Sequence, residues 1–154
     1  MPEDAPSPAV IQAWARLVKA QHMVLGAVEA DLRKAGFPPL AWYDVLLELR
    51  RAEGQGLRQL EIEGRLLLAQ HNVSRLVDRL EKAGLAGRRP VAKDGRGQLV
   101  AISEKGRDLL ASMWPAYRTA IQRHVGAKLG GNVEAEALGT LLGRLTGAEG
   151  QKAL

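Results

Sequence analysis

The chain has 154 residues, 46% of them apolar and 25% charged, and its 22 Lys and Arg outnumber 17 Asp and Glu for a formal net charge of +5. That length suits one domain with a real core, and no run approaches the roughly 18 apolar residues that a membrane span needs. The absence of cysteine excludes disulfides, thiolate metal sites and cysteine redox switches, and the acidic, proline-rich start MPEDAPSP is unlike a secretory leader, so the expected location is the cytoplasm.

Ser7-Pro8 reads as an N-cap followed by a proline at the first helical position. A long helix is expected from there to about residue 35. Val10, Trp14, Leu17, Val18, Gln21, Leu25, Val28 and Leu32 form one nearly continuous stripe, which Ala13, Val24 and Ala27 widen. A helix apolar over more than one side packs on more than one neighbour. Pattern alone leaves open whether that neighbour is a second subunit or the chain's own core. The run GFPP at 36–39 breaks the helix. A second helix is expected over 40–52 with Trp42, Val45, Leu46 and Leu49 inward, then a loop at 53–56 and a short helix over 58–65.

The stretch from 66 to 102 organises the rest. Residues 66–69 read as a turn into a helix whose stripe is Leu68, Val73, Leu76, Val77 and Leu80, with a polar opposite face. Gly84 stops it. Two extended runs follow, 86–91 and 98–102, joined by AKDGRG, whose Asp-Gly is a hairpin signal. Helix then basic hairpin is the layout of a winged helix-turn-helix. The window 65–98 holds eight Lys or Arg against three acids, a surplus equal to the whole chain's net charge. Concentrated there, it forms an electrostatic footprint for phosphate. Asp78 and Glu81 are expected to pair with Arg79, Lys82 or Arg75. After the hairpin, Ser103 caps a helix running to about 128, with Leu109, Leu110, Met113, Trp114, Tyr117, Ile121 and Val125 in a heptad-like stripe and Pro115 inside it. Gly130-Gly131 ends that element, and a last helix over about 133–146 carries Leu138, Leu141, Leu142 and Leu145.

The pieces WYDVLLELRRAEGQGLRQLEIEGRLLL, VSRLVDRLEKAGLAGRRP and KDGRGQLVAISEKGRDLL, in this order, resemble the MarR family of bacterial transcription regulators. The resemblance implies a mainly α fold: a winged helix-turn-helix with flanking dimerisation helices and a two-stranded β wing. Residues 1–154 then form a single MarR-like domain, with dimerisation helices at about 9–35 and 107–146 and a winged-helix lobe at about 40–104. The implied function is that of a homodimeric, sequence-specific DNA-binding regulator, a repressor released by a small, aromatic or phenolic ligand. Its partners are double-stranded DNA with a pseudo-palindromic operator, a second copy of itself and that effector. The family commonly has Ser or Thr where Ala69 stands; its loss removes an N-cap worth about 1 kcal/mol, which Gln70 or Asn72 is left to replace.

Gln70, His71, Asn72, Ser74 and Arg75 crowd the expected start of the recognition helix, where side chains reach base edges. Asn and Gln bond adenine in a two-pronged way, and Arg bonds guanine so. The resemblance points to Ser74 and Arg75 as contacts; His71 reads as a contact or as a solvent-exposed helix residue. Arg79 belongs to the same face. Arg96 matches the family's wing-tip arginine, which enters the minor groove, and Asp94 the acid that braces it. Arg88, Arg89 and Lys93 are candidates for phosphate contact, and Arg58 and Gln59 offer backbone amides and a charge at the start of the preceding helix. Trp14, His22, Trp42 and Tyr43 are ligand candidates, with core packing as the other reading of the tryptophans. No catalytic, metal or cofactor site is expected: the three histidines, His22, His71 and His124, fall on separate helices without ligand spacing. The alternative is a winged helix used for protein–protein contact without sequence-specific DNA binding. An RNA binder would offer stacking aromatics, and Phe37, Tyr43 and Tyr117 lie outside the motif.

Overall fold

The segment LAWYDVLLEL carries apolar side chains at nearly every position, and a helix of that kind has to be enclosed on all sides. The computed structural model describes residues 4–91 and 97–147. In chain order its elements are α1 (Pro8–Lys34), α2 (Leu40–Arg51), α3 (Gln59–Arg65), α4 (Val73–Lys82), β1 (Ala86–Pro90), β2 (Gln98–Ile102), α5 (Glu104–His124) and α6 (Asn132–Thr146), with a 3-10 turn at Gly126–Lys128. The enclosed segment is α2. Its residues 43–49 are all buried, and α3, α4, β2 and α5 pack around it.

Helix starts and stops follow local chemistry. The Ser7 hydroxyl accepts the Val10 amide at 3.3 Å and Pro8 takes the first helical position of α1. Ser103 caps α5, accepting the Gly106 amide at 3.1 Å while its own hydroxyl donates to the Gly84 carbonyl at 2.6 Å. Gly84 ends α4 in the left-handed region, φ 76°. Two bonds close that end: Leu85 N–H to the Leu80 carbonyl and Gly84 N–H to the Glu81 carbonyl, both 2.9 Å. α5 runs unbroken through Pro115 but stops at His124, short of the expected 128, where the 3-10 turn takes over.

β1 and β2 form an antiparallel pair with Ala86 opposite Ile102, Arg88 opposite Val100 and Pro90 opposite Gln98. Leu57 adds a one-residue third strand: its N–H and C=O both bond Val100, each at 2.8 Å. The pattern gave no sign of this contact.

The stripe of α5 is spent inside the protomer. Leu110, Met113, Tyr117 and Ala120 are buried against α1 and α2. α1 divides: Val28 and Leu32 enter the core, whereas Val10, Ile11, Trp14, Leu17, Val18 and Met23 are exposed. α6 buries no side chain, and Leu138, Leu141, Leu142 and Leu145 stand in solvent. The unpartnered apolar surface therefore lies on the first two-thirds of α1 and on α6, not on α5.

Candidate nucleic-acid interface

At about 100° per residue, α4 separates its side chains into three zones. Val73, Leu76, Val77 and Leu80 face the core. Ser74, Asp78 and Glu81 line one edge of the exposed face, and Arg75, Arg79 and Lys82 line the other. Among the described residues none of those three cations has an ion-pair partner. The acids were expected to pair with Arg79, Lys82 or Arg75, their neighbours on the helix. The structure corrects that: both pair with Arg88 of β1, whose guanidinium reaches Asp78 at 2.7 Å, Glu81 at 3.5 Å and the Ser74 carbonyl at 3.3 Å. The Arg88 N–H also donates to Glu81, at 2.8 Å. Arg88, a candidate phosphate contact from sequence, is thus a bracket between wing and helix with its side chain only 19% exposed.

Arg89 fixes the wing on its other side. One of its nitrogens donates to the Gly54 and Gln55 carbonyls, each at 2.7 Å, in the loop between α2 and α3. Those acceptors are neutral, so Arg89 keeps its charge and remains exposed. Lys93, Asp94 and Arg96 lie outside the described residues.

The start of α4 also differs from expectation. The helix begins at Val73, and Asn72 is its N-cap, accepting the Arg75 amide at 3.0 Å. Asn72 therefore supplies the cap that Ala69 lacks. With that oxygen engaged, the two-pronged bond to adenine is closed to it as the helix stands. Gln70 and His71 are not helical; both sit exposed in the turn before the cap, and Leu68 lies in that turn rather than in the helix stripe. Ser74, Arg75 and Arg79 are on α4 and exposed, as expected. Arg58 occupies the N-cap position of α3, but its backbone amide is taken by the Glu61 carboxylate at 3.0 Å, so that amide is not free for phosphate. Its guanidinium lies beside Gly97 at the foot of β2. The Gln59 side-chain amide bonds Glu63 at 3.3 Å.

The turn of residues 66–72 is held from below by Asp44, which the sequence reading passed over. This α2 carboxylate, 5% exposed, accepts the Leu67 amide at 3.0 Å and the Leu68 amide at 2.7 Å. Burial pushes its pKa up and Glu48 adds to that, while the two amides and Arg51 pull it down. Its signal was an acid in a run of apolar residues. Beside it, Tyr43 and Tyr117 meet edge to face at 5.1 Å, and Trp114 meets Tyr117 at 5.8 Å. Burial, helped by Asp44, Tyr43 and Glu29, raises the Tyr117 hydroxyl to about 12. Leu40, Tyr43, Asp44, Leu47, Leu67, Leu68 and Tyr117 line a crevice with no room for a water molecule. Of the ligand candidates only Tyr43 lines it: Trp14 is 66% exposed on α1, His22 is exposed, and Trp42 is half-buried. A second cluster also escaped the sequence reading. Asp31 of α1 accepts from Arg123 and bonds the His124 ring, both at 2.8 Å, tying the ends of α1 and α5 together.

The family model described as MarR family matches residues 35–97, the span from the end of α1 through α4 into the wing. That match takes in less than half of the chain, so it is the stretch from the end of α1 into the wing that is similar to the MarR family. It is 34% identical over 94 residues to an uncharacterized HTH-type transcriptional regulator, YkoM, of Bacillus subtilis; the match covers 60% of this chain and 58% of that protein. The fold is that of a MarR family transcriptional regulator from Streptomyces coelicolor solved in complex with DNA, with a TM-score of 0.80 at 21% identity over 97% of this chain and 96% of the other. It is also that of BpsR from Bordetella bronchiseptica, whose DNA binding is regulated by 6-hydroxynicotinic acid, with a TM-score of 0.75 at 22% identity over 92% and 98% of the two chains. Among the described residues no helix is long and apolar enough to cross a membrane.

Proposed function

We propose that this protein is a cytoplasmic, homodimeric repressor that reads a pseudo-palindromic DNA operator and is released by a small aromatic ligand. The observation that carries the DNA-reading part is the sorting of charge on α4. Arg88 occupies both acids of that helix, and Arg75, Arg79 and Lys82 face outward without partners among the described residues. A helix so arranged offers phosphates and base edges a cationic edge, with its acids held to one side by Arg88. Ser74 and Arg75 are the proposed base contacts, with Gln70 and His71 in the preceding turn; Arg79 and Arg89 are proposed for phosphates, and the resemblance adds Lys93 for phosphate and Arg96 with Asp94 for the minor groove.

The dimer is proposed from the apolar face of α1 and from α6, which buries nothing within its own protomer. A 15-residue helix with four exposed leucines is unstable alone; a two-fold partner covers it and sets two α4 helices one helical turn of DNA apart. The effector class rests on the junction of Tyr43, Trp114 and Tyr117 beneath the α3–α4 turn and on the regulation of BpsR by a small aromatic acid. A ligand entering there has to displace packed side chains, so it favours one arrangement of the lobes over another.

The test is binding of promoter fragments from the source genome against random duplex, across salt concentration, with the mass of the free protein measured by sedimentation. The expected result is a dimer whose affinity falls steeply with salt and whose preference for one fragment is relaxed by Arg75→Ala. A monomer, or a protein indifferent to every duplex at low salt, overturns the proposal and leaves the protein–protein module in its place. Titration calorimetry with a panel of phenolic and heteroaromatic acids tests the effector; no heat and no change in DNA affinity removes it.

A further inference from the structure

We infer that Asp44 is a positioning residue for DNA reading: from the core helix α2 it fixes the turn that sets where the recognition helix α4 begins. The inference rests on the DNA-reading proposal above, and it starts from placement. Asp44 is the fifth residue of α2 and only 5% exposed, on a helix whose other buried residues are Leu40, Tyr43, Val45, Leu46, Leu47, Leu49 and Glu48, the last paired with Arg51. A carboxylate there is costly, since burial opposes its charge. Both oxygens nevertheless have a partner, and the partners are consecutive backbone amides, Leu67 and Leu68, 23 and 24 residues away. Two amides converging on one carboxylate fix direction as well as distance.

The turn has little else to hold it. The Leu66 amide closes α3 on the Ile62 carbonyl, and Asn72 begins α4 by capping it. Between them, the only hydrogen bonds that tie residues 67–71 to the rest of the described protomer are those to Asp44. Gln70 and His71 follow within three residues of the tether, then the cap, then Ser74 and Arg75. Without the tether the turn is free to extend α4 backwards, because Ala69 and Leu66, four and seven residues before Val73, continue the apolar stripe of Val73, Leu76, Val77 and Leu80. That extension would move Gln70 and His71 onto the helix and remove Asn72 from its capping role. Asp44 thus exchanges stability for a defined reading surface.

The exchange gives the test a sign that a packing residue cannot imitate. Asp44→Asn and Asp44→Leu are compared with Leu32→Ala, a fully buried α1 residue far from the turn in sequence. Four quantities are read: thermal midpoint, amide exchange at Leu67 and Leu68, affinity for the promoter fragment, and affinity for random duplex at low salt. The Asp44 variants are expected to keep or raise the midpoint, to speed exchange at the two amides at least tenfold, and to lose about tenfold in promoter affinity while random-duplex affinity stays within twofold. Leu32→Ala is expected to lower the midpoint and both affinities together. Unchanged exchange at Leu67 and Leu68, or promoter affinity that falls only in step with the midpoint, overturns the inference. If the unsubstituted protein prefers no fragment, the DNA-reading proposal has failed instead, and the exchange at the two amides alone decides whether Asp44 is the tether.

Discussion

Replacing Arg88 separates a bracket from a phosphate contact. Its guanidinium meets Asp78 at 2.7 Å, Glu81 at 3.5 Å and the Ser74 carbonyl at 3.3 Å. The Arg88 side chain is 19% exposed, but those of Asp78 and Glu81 are 61% and 44% exposed, so solvent screens the pairs. An exposed ion pair is worth about 0–1 kcal/mol, and the fork geometry places this one near the top of that range. Arg88→Ala is therefore expected to lower unfolding free energy by about 1 kcal/mol, or roughly 2–4 °C in midpoint for a chain of this size. The backbone bond from Arg88 to Glu81 survives the change. In DNA binding the substitution bares two carboxylates on the helix proposed to face phosphate, so about a tenfold loss is expected. Arg88→Lys decides between the readings. A lysine keeps the charge but offers one compact point and cannot span two carboxylates and a carbonyl. The bracket predicts that lysine loses nearly as much as alanine, and that Arg88→Ala and Asp78→Asn are strongly non-additive in a double-mutant cycle of unfolding free energies. Near-wild-type behaviour of Arg88→Lys, with Arg88→Ala cutting the log–log salt slope by about 0.9 and no coupling to Asp78, would refute the bracket.

Gly106→Ala puts a methyl carbon onto the Leu85 carbonyl oxygen and against Ile102 where α5 leaves the wing; a loss of about 2 kcal/mol or more is expected in urea unfolding, and a neutral result would mean that the strand–helix junction yields. Leu141→Glu changes a side chain 54% exposed in the protomer, so it should leave folding of the lobe intact by circular dichroism while shifting sedimentation from dimer to monomer; an unchanged dimer would take α6 out of the interface. Asp31 is held below the usual carboxylate range, chiefly by its bond to His124 and further by Arg123, against a smaller push from burial. A lowered folded-state pKa stabilises at pH values above the unfolded one and loses that contribution as pH falls through the folded one, so wild type should exceed Asp31→Asn in stability near neutrality and converge with it in acid. A gap that widens in acid would contradict the pairing.

What the sequence showed and what it hid divide along the range of the interactions. Ser7-Pro8, Ser103 and Gly84 act within a few residues, and each ends or starts a helix where the pattern placed it. The paired strands were legible for the same reason. The start of α4 was not, because the turn before it is held by Asp44, which binds the Leu68 amide from 24 residues away. Asp78 and Glu81 had cations one or three residues off, yet their partner lies across the chain reversal at Gly84, where β1 passes the helix edge. The one-residue strand at Leu57 has no period to detect. Surplus apolar surface was visible in the sequence, but its location was not: the stripe of α5 looks as available as that of α6, and only packing shows that α1 and α2 consume it.

The anchoring of the wing bears on how a ligand could control DNA binding. β1 is bracketed to α4 through Arg88 and to the α2–α3 loop through Arg89, and β2 is stitched to Leu57. These ties join the base of the wing and α4 to the core around α2. Changing their spacing within a protomer breaks several bonds at once. Changing the spacing between protomers need break none of these. Of the helices proposed to join the protomers, α1 packs against α5, where the Asp31–Arg123–His124 cluster ties their ends, and its polar tie to the start of α2 is the Leu40 amide, which donates to Glu29 of α1 at 3.1 Å. A ligand wedged at the Tyr43–Tyr117 contact presses on α2 and α5 close to those ties. On the DNA-reading proposal its cheapest effect is to rotate one lobe against the other and spoil the match to two half-sites, leaving each lobe's own reading surface as it was.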